Sequence, residues 1–269
     1  MSKKILVVVD GLAMVYRSFY AVPPLTTSTG FSTNAILGFI KAVNQIRANW
    51  HPSHWCVVFD GGLPALRMEL APEYKAQRPS MPDELREQVE AIKEYLTLAS
   101  IPWFRIEGEE ADDVIAAIVT RAEKQADRVL ICTRDKDLFQ LVNSKVCVFS
   151  GMSNDKLMDV AAVEEKTGVQ PSQVAEWLAI TGDSSDNIKG VPGVGPKTAA
   201  KLLRKYGSLE KIWADINSLE NEKLRRKMLE NREIISRNLK ITSLNHDAKS
   251  DFDWADIRIQ KTEEGKILP

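Results

Sequence analysis

The sequence predicts an α/β protein: a mostly parallel central sheet flanked by helices, followed by a helical region. Three observations carry this. Ile5–Val9, Trp55–Phe59 and Val129–Thr133 are short apolar runs rich in β-branched residues, the pattern of strands buried on both faces. Helix-period segments separate them, and alternating strand and helix is the mark of βαβ units. Beyond about residue 158 the strand signals fade and helical patterns remain.

Taken in order, residues 33–47 set Ile36, Phe39, Ile40, Val43 and Arg47 at helical spacing. Residues 83–98 do so with Leu85, Val89, Ile92 and Leu96, and residues 112–126 with Val114, Ile115, Ile118 and Val119. Val146–Phe149 adds a further strand. Later helices are expected over 171–181, over 196–206 closed by Gly207, over 208–216 opened by Ser208, and over 221–240. Two loop-rich insertions, 20–32 and 61–82, interrupt the pattern with proline, glycine and hydroxyl clusters, and loops of that length commonly carry function. The expected division is a core over 1–165 with an insertion at about 61–84, a helical region over 166–247, and a tail over 248–269 that matches no pattern.

A chain of 269 residues with 44% hydrophobic and 27% charged residues is ordinary for a globular protein. No apolar run approaches the roughly 18–20 residues of a membrane span. MSKK followed by one short apolar run and Asp10 lacks a secretory leader pattern, so a cytoplasmic protein is expected. Cys56, Cys132 and Cys147 each sit in a strand-like run without metal-type spacing, and His51, His54 and His246 do not pair with them. They read as buried thiols, not as a zinc site.

Each of the three early strands runs into an aspartate. VVVD ends at Asp10, CVVFD at Asp60, and LICTRDKD reaches Asp135 and Asp137. Ligands of open α/β sheets bind beyond the carboxyl ends of the strands, so three strands deliver carboxylate to that edge. EGEEADDVIAAIV adds Glu109, Glu110, Asp112 and Asp113 at a helix start, with Glu110 and Asp113 on one face. One or two acids there would complement the helix dipole; four repel one another and need a compensating cation. TGDSSDN adds Asp183 and Asp186.

The nine candidates Asp10, Asp60, Glu110, Asp112, Asp113, Asp135, Asp137, Asp183 and Asp186 form an all-oxygen set suited to Mg²⁺ or Mn²⁺. They exceed what one ion needs, so two ions, as in nucleases and polymerases, fit better. The formal charge is −1, yet setting nine of the 37 acids aside leaves 28 against 36 Lys and Arg, a body of +8. A basic body around an acidic pocket favours a phosphodiester substrate.

GVPGVGPKTA at 190–199 nearly spells a Walker A loop, but Pro196 stands where lysine would follow Gly195, and no strand precedes it. Proline is suited to a first helical position, Gly193 and Gly195 permit close backbone approach, and the helix start offers N–H groups to an anion. The stretch reads as a grip on a phosphate other than that of ATP.

In this order, VVDG, VFDG, YKAQRP, EADD, TRDKDLFQL and GDSSDNIKGVPGVGPKTAAKLL closely resemble the 5′→3′ exonuclease domain of bacterial DNA polymerase I, within the flap endonuclease (5′ nuclease) family. The resemblance covers roughly residues 4–247, and all nine acidic positions of the pattern are filled. It implies a PIN-like 5′ nuclease core with a helix–hairpin–helix DNA-binding element. The implied activity is metal-dependent 5′→3′ exonuclease and flap cleavage in replication and repair. The implied partners are DNA with a 5′ flap, nick or 5′ end and RNA/DNA hybrids, for a monomer or the N-terminal domain of a DNA polymerase I in the nucleoid.

The resemblance also implies roles. Asp10, Asp60, Glu110, Asp112 and Asp135 would surround a first metal, and Asp113, Asp137, Asp183 and Asp186 a second, with Asp135 between them. Arg17, Tyr74, Lys75 and Arg78 would belong to a helical arch, Tyr74 stacking on an unpaired base. Lys75 and Arg78 would hold the scissile phosphate and, with Asp135, form the catalytic set. Gly190, Val191, Gly193, Val194, Gly195, Lys197 and Thr198 would grip duplex phosphates, with a monovalent cation such as K⁺ bound there.

Other readings remain on the residues alone. A PIN-type single-strand ribonuclease is opposed by GVPGVGPKTA and the 61–82 insertion. A non-catalytic DNA-junction scaffold is opposed by the nine acids.

Overall fold

The structure is a computed structural model describing residues 3–151, 156–248 and 252–259. Of the expected tail, residue 248 and residues 252–259 are therefore placed, and the rest lies outside the described residues. The first half runs β1 (Ile5–Asp10), α1 (Gly11–Ala21), α2 (Asn34–Trp50), β2 (His54–Phe59), α3 (Ala65–Leu70) and α4 (Asp83–Leu98). It continues through β3 (Trp103–Arg105), α5 (Ala111–Ala122), β4 (Arg128–Cys132), a 3-10 turn (Asp137–Leu141) and β5 (Val146–Phe149).

The five strands form one parallel sheet in the order β3-β2-β1-β4-β5. The chain builds outward from β1 in one direction, then from β4 in the other. That reversal opens a crevice at the carboxyl ends of β1, β2 and β4, the ligand-binding place of such sheets.

Strand side chains alternate between two faces. Val7, Val9 and Val57 turn toward α1, α2 and α4, meeting Val15, Phe39, Val43, Leu85 and Ile92. Leu6, Val8, Cys56 and Val58 turn toward α5, meeting Val114, Ile115 and Ile118. Both faces are covered, which is why the strands read as continuous apolar runs. The three cysteines are free and buried in this core.

The second half comprises α6 (Val160–Thr167), α7 (Val174–Thr181), a two-stranded hairpin of β6 (Gly182–Asp183) and β7 (Ile188–Lys189), α8 (Pro196–Tyr206), α9 (Leu209–Ala214), α10 (Glu222–Glu230) and α11 (Arg232–Thr242). Leu178, Leu203, Ile212, Met228 and Ile235 join the same continuous hydrophobic cluster as Leu6 and Val8, so these helices extend the core on the α5 side of the sheet. Asn238, fully buried on α11, donates to the carbonyls of Ala179 and Lys189 at 3.0 and 2.9 Å and ties α11 to the hairpin.

Several expectations are corrected. The sequence pattern does not reveal β3, whose three residues are too few to show a period, nor the two-residue β7, which does precede Gly190 although no strand is expected there. It also misses α1, α3 and α6; α1 starts directly after β1 because Asp10 caps it, Oδ1 accepting from the Ala13 amide at 3.1 Å. The helix expected over 221–240 is two, divided at Asn231, and the one over 171–181 opens with a 3-10 turn at Pro171–Gln173. Residues 252–259 return to the amino end of β2. Trp55 N donates to Ile257 O at 2.8 Å, Ile259 N to Ser53 O at 3.0 Å, and Trp254 stacks on His54 with ring centroids 3.8 Å apart. Among the described residues no helix is long and apolar enough to cross a membrane.

Candidate active site

Three strand ends and one helix start deliver carboxylates to the crevice. Asp10, the last residue of β1, accepts from Thr133 Oγ1 at 2.8 Å, and Asp60, just past β2, accepts from the Ala111 amide at 3.2 Å. Past β4, the Asp135 amide donates to Thr133 Oγ1 at 3.1 Å, and Asp135 Oδ1 accepts from the Asp137 amide at 2.9 Å. Thr133 thus positions two acids at once, a role the sequence reading missed because threonine at a strand end is unremarkable.

Burial pushes the Asp10 carboxyl up from 3.8 to about 7, with Asp60 and then Asp135 adding repulsion. Asp112 is raised well above its ordinary value by burial, then by Asp135 and Asp10. Asp60 and Asp135 are raised as well, burial leading in each. Asp10, Asp60, Asp112 and Asp135 therefore share one desolvated space, and Asp135 also feels Asp186 and Asp183.

Beside them Asp137, Asp183 and Asp186 bring carboxylate oxygens within 4.8 Å of one another. Oδ1 of Asp137 is buried with no hydrogen-bond partner. Its pKa is driven well up by burial and by Asp135, Asp186 and Asp183. Three converging oxygens, one of them orphaned, suit a hard divalent cation. For Asp183 burial acts upward, but Lys136 Nζ at 2.9 Å and the amide and hydroxyl of Ser185 outweigh it, and the net shift is downward.

Besides Lys136, the compensating cations come from the 61–82 insertion. Arg67, on α3 and buried, donates to Glu110 and to Asp113, and its Nε donates to the Ile241 carbonyl at 2.9 Å. Lys75 Nζ pairs with Glu110 and lies 3.7 Å from Asp186, while Arg78 Nη2 donates to Asp186 at 2.6 Å. Arg67 escapes sequence reading because its partners are distant in the chain; the unbalanced acids of EGEEADD are its one trace.

Four placements correct expectations. Asp113 does not join the Asp137–Asp183–Asp186 group: Arg67 at 2.8 and 2.9 Å and the Asn245 amide at 2.8 Å occupy its oxygens. Tyr74 is 4% exposed, its hydroxyl 3.1 Å from Asp186 and 3.2 Å from Glu110, so its ring has no open face for a base. Arg17 lies on α1, outside the insertion, and donates to the Ser150 carbonyl. In the GVPGVGPKTA stretch the side chains of Val191 and Val194 are buried, leaving only their backbone for a ligand. Gly190 serves packing: a Cβ there would stand 2.1 Å from the Thr181 carbonyl carbon. Gly195 faces open space at the start of α8, with Lys197 exposed and Thr198 half-buried in the first turn.

Residues 5–168 match the 5′-3′ exonuclease N-terminal resolvase-like domain, and residues 169–265 match the 5′-3′ exonuclease C-terminal SAM fold. The chain belongs to the 5′-3′ exonuclease family. A 5′-3′ exonuclease of Aquifex aeolicus is 39% identical over 98% of this chain and 90% of that protein. A DNA polymerase I of Pseudomonas aeruginosa is 42% identical over 94% of this chain, which spans 28% of that polymerase's length. Among solved structures, a bacteriophage T5 flap endonuclease in a pseudo-enzyme–product complex with DNA and metal ions superposes with a TM-score of 0.74 at 26% identity, covering 90% of each chain. The Rad2 catalytic core with DNA substrate shares the fold, with a TM-score of 0.59 at 17% identity over 92% of this chain and 82% of that one. As a 5′-3′ exonuclease family member the chain is a metal-dependent nuclease, and its buried carboxylates are the chemical counterpart of that class.

Proposed function

We propose that this protein is a structure-specific 5′ nuclease that hydrolyses phosphodiester bonds of DNA at 5′ flaps, nicks and 5′ ends, and removes RNA primers, in replication and repair. The observation that carries the reading is the convergence of Asp137, Asp183 and Asp186 beside the desolvated Asp10, Asp60, Asp112 and Asp135. Two Mg²⁺ or Mn²⁺ ions fit this oxygen set, one held mainly by Asp10, Asp60, Asp112 and Asp135 with Glu110 alongside, the other by Asp137, Asp183 and Asp186. When bound, divalent ions supply Lewis-acid activation and neutralise charge on the phosphate.

The chain's own cations do the rest. Lys75 and Arg78 lie against the cluster with their positive heads at its acids, where they would meet the scissile phosphate, orienting it and offsetting its charge. Duplex DNA would rest on the start of α8, where Gly193, Gly195, Lys197 and Thr198 lie; the Thr198 and Ala199 amides close on the Gly195 carbonyl at 3.0 Å, so the Gly195 and Lys197 amides and the Lys197 ammonium are the groups that would meet phosphate. A monovalent cation such as K⁺ belongs to this part of the proposal; Lys227 Nζ already engages the Pro192 carbonyl at 2.8 Å.

The deciding experiment is cleavage of a labelled 5′-flap DNA with Mg²⁺ and with EDTA, beside single-stranded RNA. Mg²⁺-dependent release of the flap, lost in Asp135→Ala with flap binding retained, is the expected result. Preferential cutting of single-stranded RNA would favour the ribonuclease reading, and binding without cutting would favour the scaffold.

A further inference from the structure

We propose that a cation-lined groove leading from the carboxylate cluster across the crossing of α1 and α2 holds phosphates of the strand being cut. This deepens, and rests on, the reading of the cluster as the cleavage site. The groove begins at a narrow cleft between Met14, Arg17, Thr133 and Arg134. Its inner end is Thr133, whose hydroxyl donates to Asp10 at 2.8 Å. It widens into a cavity of about 410 Å³ lined by Arg17, Ser18, Gly38, Lys41, Gln45 and Arg134. Arg17 and Arg134 form a common wall of both spaces.

The described lining carries three cations and no carboxylate. Lys41 and Arg134 are exposed, and neither has an ion-pair partner among the described residues. Like charges gathered around a cavity repel one another unless an anion joins them. Arg17 is held in place: its guanidinium donates to the Ser150 carbonyl and lies over Gly151, where φ is +79° and a Cβ would stand 3.0 Å from Nη1. Gly38 makes the floor, since a Cβ there would meet Ser18 Cβ at 2.7 Å, and its absence lets α1 and α2 approach.

Arg134 sits between Thr133 and Asp135, so one loop sets a cluster acid and a groove cation side by side. A chain of phosphodiesters is the ligand that uses both. With one phosphate at the cluster, its neighbours along the same strand meet Arg134, Arg17 and Lys41 in turn.

The test measures affinity for a 5′-flap DNA in EDTA across a salt series, for wild type, Lys41→Ala, Arg134→Ala and the double variant. Single methylphosphonate linkages, each removing one phosphate charge, are placed in turn on the cut and uncut strands. The double variant is expected to bind roughly tenfold or more weakly, with a salt slope shallower by about 0.7 for each single-strand phosphate that is no longer neutralised. Methylphosphonates on the cut strand beyond the scissile phosphate should weaken wild type several-fold and the double variant, which keeps only Arg17 in the groove, much less.

Unchanged affinity and slope in the double variant, with wild type binding and cleaving normally, overturns the groove alone. Sensitivity confined to the uncut strand overturns it too. Failure of wild type to bind the flap overturns the underlying reading instead. Lys41→Arg and Arg134→Lys, which keep the charge, are expected to bind like wild type, so a fold defect in the alanine variants does not mask the result.

Discussion

The backbone amide of Lys75 donates to the carbonyl oxygen of Asp186 at 3.1 Å, while its Nζ stands 3.7 Å from the Asp186 carboxylate. The insertion is thus fastened to the loop that carries two of the cluster's acids. Gln77 Nε2 adds bonds to the carbonyls of Ser184 and Ser185 at 3.1 and 3.0 Å, and Asn187 Nδ2 one to Glu73 O at 2.8 Å. Lys75 holds this place at φ 54°, a left-handed conformation that costs a non-glycine residue roughly 1–2 kcal/mol. The surrounding bonds offset that cost, and they fix where the ammonium points.

Lys75→Met removes a cation aimed at the reacting centre and leaves the backbone clasp in place. Its single-turnover cleavage rate is expected to fall by about 10²–10³, with flap affinity in EDTA changed far less. A rate within a few-fold of wild type would remove Lys75 from the chemistry.

Tyr74→Phe separates two roles for one ring. A stacking residue tolerates phenylalanine, whose ring is equivalent. A donor to buried carboxylates does not, because Glu110 and Asp186 lose a hydrogen bond of about 1.5–3 kcal/mol to a charged group. Burial, reinforced by Glu110 and Asp186, pushes the Tyr74 phenol upward and keeps it a donor. The expected outcome is a lower melting temperature in EDTA and slower cleavage; unchanged values in both would restore the stacking role.

What the sequence revealed follows from how local each signal is. Asp10, Asp60 and Asp135 are legible because a buried strand and its terminal acid lie within a few residues of each other. Asp113 is not, since its fate depends on Arg67, 46 positions away. Tyr74 looks exposed in a proline-rich insertion, yet Ile188 and Ile241 from remote segments cover it. The hidden α3 and β3 are too short to display a period. The 61–82 insertion, the hairpin and α11 meet only in three dimensions, so their packing leaves no spacing to read.

The glycines of GVPGVGPKTA divide by the same reasoning. Gly190→Ala would drive a Cβ to 2.1 Å from the Thr181 carbonyl carbon and 2.5 Å from the Gly182 amide. A loss of about 1–3 kcal/mol or more is expected, read as a fall in melting temperature. Gly195→Ala meets nothing within 4 Å, so its stability should match wild type while affinity for blunt duplex DNA falls. Equal duplex affinity in Gly195→Ala would argue that no phosphate approaches the start of α8.

The clustered acids also set the direction of the pH response. Burial and then Asp60 push the Asp10 carboxyl up from 3.8 to about 7, and Asp60, Asp112, Asp135 and Asp137 are raised with it. Between those values the folded state holds protons that the unfolded chain has released. The stabilisation from Asp10 is thus complete below 3.8 and lost as pH rises through about 7. Asp183, shifted downward, acts in the opposite sense but below this window, and His54, lowered by burial and by Arg258 and Lys4, opposes it as a single group. In EDTA the melting temperature is therefore expected to fall between about pH 5 and pH 8. A divalent cation replaces the lost protons, so stabilisation by Mg²⁺ should grow over that range and reach about 2.7 kcal/mol at a hundredfold excess over Kd. Asp137→Asn, which neutralises the acid with the orphaned oxygen, should raise the melting temperature in EDTA at about pH 8 and shrink the Mg²⁺ effect. A melting temperature indifferent to Mg²⁺ at that pH would sink the assignment of these carboxylates as a metal site.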